Sequence, residues 1–109
     1  MAYIPLAKLH QLFDGFCQPV QVAGKHLLLI QEQGKTWLIA NQCPHLGASL
    51  HRATVANGQL RCPAHGMTFD LASGRATYPA ACPRGLQHFL LAYEGNTLGV
   101  YVDEGDSGY

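Results

Sequence analysis

The sequence predicts an all-β fold. Turn dipeptides recur at short intervals along the chain, and the stretches between them are short and rich in β-branched, aliphatic or aromatic residues. With 109 residues, 48% of them hydrophobic and only 13% charged, the chain can bury a modest core and belongs with folded rather than disordered sequences. Many short strands at such spacing make a sandwich or barrel, and one domain over residues 1–109 is expected.

A short helical turn is expected over Leu6–Phe13. Strands are then predicted at Gln18–Val22, His26–Gln31 and Thr36–Ala40, divided by the turns Ala23-Gly24 and Gln33-Gly34. Further strands are predicted at Ala53–Ala56 and Gln59–Arg61, joined by Asn57-Gly58. That pair suits a two-residue hairpin because both residues tolerate positive φ. Thr68–Leu71 follows and ends before the turn Ser73-Gly74. His88–Tyr93 and Leu98–Val102 close the fold as a last hairpin around Glu94-Gly95-Asn96. The segment Asp103–Tyr109 is small and polar, and fraying is expected there.

Seven basic side chains balance seven acidic ones, so the formal net charge is zero. A neutral chain with no charge run lacks the footprint that attracts nucleic acid or an anionic membrane. The longest apolar run, Leu27–Ile30, is far too short to span a bilayer. The opening Met1-Ala2-Tyr3-Ile4-Pro5 has no charged segment leading into an apolar one, as a signal peptide would. A cytoplasmic location is therefore expected, where thiols stay reduced and four cysteines serve as ligands or buried thiols rather than disulfides.

Chemistry concentrates in two short segments, Cys43-Pro44-His45-Leu46-Gly47 and Cys62-Pro63-Ala64-His65-Gly66. The pattern is C-x-H, sixteen residues, then C-x-x-H. Two thiolates and two imidazoles suit zinc or an iron–sulfur centre. Each segment carries a stiffening proline and a glycine within two residues of its histidine, so backbone can pass close to a bulky group. Structural zinc sites usually pair Cys with Cys and His with His along the chain. Here each segment offers one of each, which is what two irons bridged by both loops would need. Zinc remains the competitor, with a structural or recognition role.

These segments resemble the two ligand loops of Rieske proteins. Phe69-Asp70 with Ser73-Gly74 resembles the stretch that follows the second loop, and the similarity runs from the Trp37–Ala40 strand through Tyr78-Pro79-Ala80 to the last hairpin. The resemblance implies three antiparallel sheets with a two-loop cluster-binding subdomain, about residues 41–71, at one tip. It implies one [2Fe–2S] cluster per chain, held by Cys43 and Cys62 on one iron and His45 and His65 on the other, the histidines at the exposed edge. Rieske subunits of cytochrome complexes carry a disulfide at the positions of Ala48 and Ala64, and a Ser and a Tyr at those of Met67 and Phe69. Without those hydroxyls fewer donors reach sulfur, and a potential low for a Rieske centre is expected.

The subtype so defined resembles the ferredoxins that feed Rieske oxygenases. It implies a monomeric one-electron carrier, not an enzyme, that meets a flavin- or NAD(P)H-dependent reductase and a terminal oxygenase transiently, through a face around His45, His65, Leu46 and Pro79. The other reading within the resemblance is the small subunit of an NAD(P)H nitrite reductase, some of which lack the ligands that are present here. Cys17 and Cys82 are expected to be ordinary thiols, Leu46 and Met67 a hydrophobic shield, and Trp37 a core residue. His51 is expected at the surface, and His10, His26 and His88 are expected to be structural or solvated.

Overall fold

A computed structural model describes residues 2–42, 50, 53–63, 66–78 and 85–102. Its strands are β1 (Ala2–Lys8), β2 (Cys17–Val22), β3 (Lys25–Glu32), β4 (Lys35–Ala40), β5 (Thr54–Ala56), β6 (Gln59–Arg61), β7 (Thr68–Asp70), β8 (Ala76–Tyr78), β9 (His88–Phe89), β10 (Ala92–Glu94) and β11 (Thr97–Val102), with one 3₁₀ turn at Leu9–Gln11. They form three antiparallel sheets: an outer sheet in the order β1-β11-β10, a middle sheet β2-β3-β4-β9, and an inserted sheet β5-β6-β7-β8. Because β4 and β9 pair in the middle sheet, everything from Asn41 to Gln87 is an insertion between two neighbouring strands. No described helix is long and apolar enough to cross a membrane.

The run Leu27-Leu28-Leu29-Ile30 explains the layering. All four side chains are buried, although alternate residues of a strand point to opposite faces. Leu28 and Ile30, with Ile39 of β4, join Leu60 and Phe69 of the inserted sheet in one core. Leu27 and Leu29, with Leu38, join Leu98, Val100 and Val102 of the outer sheet in a second. A strand covered on both faces reads as a continuous apolar run, whereas a half-buried one alternates.

The hairpins follow their turn residues. Ala23-Gly24, Gln33-Gly34 and Asn57-Gly58 all have positive φ at both positions, as a two-residue turn between right-twisted strands requires. Pro5 and Pro19 lie in β1 and β2, both edge strands, where a missing N–H interrupts no inner ladder.

Three elements depart from the sequence expectation. The helical turn expected over Leu6–Phe13 is reduced to Leu9–Gln11, and the residues before it form β1, paired with β11 from Ala2↔Val102 to Lys8↔Thr97. β8 had no counterpart, and it pairs with β7 beyond the 41–71 boundary. The single strand expected over His88–Tyr93 is two: Phe89 pairs with Leu38 in the middle sheet and Ala92 with Gly99 in the outer one. The chain changes sheet across Leu90-Leu91, and hydrophobic pattern carries no record of which sheet a strand joins.

Candidate metal centre

Cys62 is the first residue beyond β6, and the hairpin to β7 turns through it. Its N–H donates to the Met67 carbonyl at 2.8 Å, and its own carbonyl accepts the Gly66 N–H at 3.0 Å. Gly66 has φ +68, a left-handed conformation that a side chain would strain. Cys62 is fully buried and shares its core with Leu50, Leu60, Met67 and Phe69. No polar or charged side chain is buried among the described residues. A thiol placed so, at a hairpin tip with apolar walls, fits a soft metal centre shielded from water.

Cys43, His45 and His65 lie outside the described residues, as do Ala48, Leu46, His51, Ala64, Pro79 and Cys82. The ends of the first loop are described. Asn41 follows β4, its N–H donating to the His26 carbonyl at 3.0 Å. Its side-chain Oδ1 accepts the Leu50 N–H at 2.8 Å, which draws together the two ends of the segment that holds Cys43 and His45. Leu50 and Cys62 are buried in the same core, so both motif segments depart from one apolar base.

The second motif is anchored from below by the β7–β8 turn. Asp70 Oδ2 accepts the Ser73 N–H at 2.9 Å, and the Ser73 N–H and hydroxyl hold the Asp70 carboxyl below the usual carboxylate range. The Leu86 N–H donates to the Gly74 carbonyl at 2.7 Å, and His88 Nε2 donates to the Leu71 carbonyl at 2.6 Å. His88 therefore has a structural task, fastening the inserted sheet to β9, while His10 and His26 are exposed. Met67 and Phe69 are buried beside Cys62 in the core and bring no hydroxyl. Trp37 packs against this core partly buried. Cys17 opens β2, also packed against it, and burial pushes its thiol up. His88 thus has a structural role, as expected, and Asn41 is the residue that sequence reasoning missed; its one local signal was its position two residues ahead of a ligand motif.

Comparison with known proteins gives these features a context. The curated relatives include apoptosis-inducing factor 3 of Mus musculus, 32% identical over 63 residues that make up 58% of this chain but only 10% of that protein. The chain thus spans about a tenth of that relative's length. The ferredoxin component of the naphthalene 1,2-dioxygenase system of Pseudomonas aeruginosa is 30% identical over 74 residues, 68% of this chain and 71% of the relative. Among solved structures, the ferredoxin of carbazole 1,9a-dioxygenase from Nocardioides aromaticivorans IC177 superposes with a TM-score of 0.78 at 22% identity, covering 91% of this chain and 96% of its own. A chain from the complex of reduced oxygenase and oxidized ferredoxin in carbazole 1,9a-dioxygenase superposes with a TM-score of 0.76 at 20% identity, covering 87% of this chain and 97% of that one. The three antiparallel sheets and the buried thiol at the β6–β7 tip agree with the family model that matches residues 2–93: this chain belongs to the Rieske [2Fe–2S] domain family, and a Rieske-type [2Fe–2S] cluster is its cofactor.

Proposed function

We propose that this chain is a cytoplasmic one-electron carrier that accepts electrons from a flavin- or NAD(P)H-dependent reductase and delivers them to a terminal oxygenase. The observation that carries this reading is the likeness to a dioxygenase ferredoxin component across 71% of that protein's length. Cys43 and Cys62 supply the two thiolates and His45 and His65 the two imidazoles, in a subdomain of about residues 41–71. The cluster, when bound, supplies a store for one electron. The protein's own residues do the remainder. Asn41 closes the first loop, and the Cys62–Gly66 turn fixes the second. Leu50, Met67 and Phe69 keep water from the thiolate side, where an apolar shell lowers the local dielectric. With all four donors engaged, no ligand position is left for a substrate, so the chain is an electron-transfer component rather than an enzyme.

Protein produced with ample iron should contain two irons and two acid-labile sulfides per chain and show a rhombic paramagnetic signal after dithionite reduction. His45→Cys and His65→Cys should each alter that signal and lower the potential, while Cys17→Ser should keep full iron and sulfide content. Combined with a reductase and a dioxygenase, the protein should make turnover depend on its own concentration. Absence of labile sulfide would overturn the cluster assignment. A normal cluster that supports no transfer to any Rieske oxygenase would overturn the proposed partner.

A further inference from the structure

The charges of this neutral chain are segregated. Every arginine, Arg52, Arg61, Arg75 and Arg84, lies in the insertion 41–87, against Asp70 alone, for a net charge of +3 there. The rest of the chain sets Lys8, Lys25 and Lys35 against Asp14, Glu32, Glu94, Asp103, Glu104 and Asp106, a net charge of −3.

The fold adds direction to this division. Asn41 and the Cys62–Met67 turn mark the ligand end of the middle and inserted sheets. Three of the described carboxylates lie at the opposite ends of those sheets. Asp14 accepts the Gly34 N–H at 2.9 Å at the β3–β4 turn, Glu32 closes β3 at that same turn, and Asp70 caps the β7–β8 turn. Among the described residues, the charged side chains at the ligand end of these two sheets are cationic. Lys25 opens β3 near Ala40 and Asn41, and with His26 it lines a groove of about 570 Å³ that reaches Gln42, the residue before Cys43. Arg61 is the last residue of β6 before Cys62, and it is exposed. Its guanidinium lies 3.5 Å from the point where a side chain on Gly66 would begin, so it extends across the Cys62–Gly66 turn. No carboxylate among the described residues is paired with Arg61.

We infer that the ligand-loop end of this protein is a basic docking face, built around Arg61, that recognises an acidic patch on its redox partner. The inference rests on the electron-carrier reading above. A cationic patch on a molecule of zero net charge orients an approaching partner without attracting it wholesale, which suits brief encounters that must end with the ligand loops facing the partner.

Small oxidants of opposite charge test this without the natural partner. The reduced holoprotein gives one electron to ferricyanide, which becomes ferrocyanide, or to tris(phenanthroline)cobalt(III), which becomes the cobalt(II) complex; no bond is made or broken in the protein. As salt rises from about 10 to about 200 mM and the screening length contracts, the rate with the anionic oxidant should fall roughly threefold and the rate with the cationic one should rise. Arg61→Glu should lower the low-salt ferricyanide rate by a similar factor. Arg75→Glu makes the same change in net charge on the far turn and should have a much smaller effect. Ferricyanide rates that rise with salt, or equal effects of the two variants, overturn the docking face while leaving the carrier reading intact. A preparation with no dithionite-reducible signal overturns the carrier reading and this inference with it.

Discussion

Asn41 Oδ1 accepts the N–H of Leu50, a residue with no exposed surface. Asn41→Ala removes that acceptor, and a donor stranded in the protein interior costs about 1–3 kcal/mol. The variant should unfold at a lower urea concentration, whereas Asn41→Asp, which keeps an acceptor there, should recover most of the loss. Equal midpoints for wild type and Asn41→Ala would show that the clamp carries no load. The sulfur environment gives a second prediction. Met67 and Phe69 are buried beside Cys62 in the core and offer no hydroxyl, so the midpoint potential should lie near the bottom of the Rieske range, about −150 mV. Met67→Ser should raise it by on the order of 60 mV, the equivalent for one electron of one charge-assisted hydrogen bond. Protein-film voltammetry measures both, and a clearly positive wild-type value would contradict the first. At this scale the C-x-H and C-x-x-H segments stood out in the sequence as a candidate donor set because they are local patterns, and of those four donors Cys62 lies within the described residues. The role of Asn41 was not legible, because its partner Leu50 lies nine residues away and only the fold brings them together; for His88 a structural role was expected, but its partner Leu71, seventeen residues away, was not legible.

Hairpins were legible where one dipeptide does the work. Ala23-Gly24, Gln33-Gly34 and Asn57-Gly58 were each read as turns, and each has the two positive φ values that such a turn needs. Alanine bears its φ of +50 at a cost, because a Cβ crowds the carbonyl in that region. Ala23→Asn should therefore stabilise the protein by about 0.5 kcal/mol, seen as a rise of about 2–4 °C in Tm. A fall in Tm would mean that the β2–β3 turn tolerates alanine for a reason absent from its backbone angles. β1 was illegible for the opposite reason: its partner, β11, lies at the other end of the chain, and Pro5 masks its strand character. Their pairing is also unusually close. A Cβ on Gly99 would lie 2.1 Å from the Ile4 carbonyl oxygen, beside the register shift between Pro5 and Ala7. Gly99→Ala must push β1 outward, and we expect a loss of about 3 kcal/mol with selective loss of amide protection in β1. Protection retained in β1 would show that the bulge absorbs the methyl group.

At the scale of the whole molecule, all-β character was legible from turn spacing, whereas the division into two cores was not, because a continuous apolar run does not say which neighbours cover its faces. That division has a consequence for cofactor loss. The core that contains Cys62 joins the inserted sheet to one face of β3 and β4, and the other core joins the outer sheet to the opposite face. A group that binds the folded state stabilises it by mass action, so removing the cluster withdraws stability from the elements that hold it. The inserted sheet consists of four three-residue strands with few ladder bonds of their own, and it hangs between β4 and β9. It should open first, as a local unit whose free energy of opening falls below that of the rest. The outer sheet shares its core with Leu27, Leu29 and Leu38 and with none of the residues packed around Cys62, so that core should persist when the cluster is removed. Chelating the iron under reducing conditions should therefore speed amide exchange in β5–β8 by at least about tenfold while leaving Leu98 and Val100 of β11 near their original protection. A uniform loss of protection across all three sheets would show instead that β3 and β4 couple the two cores so tightly that neither survives alone.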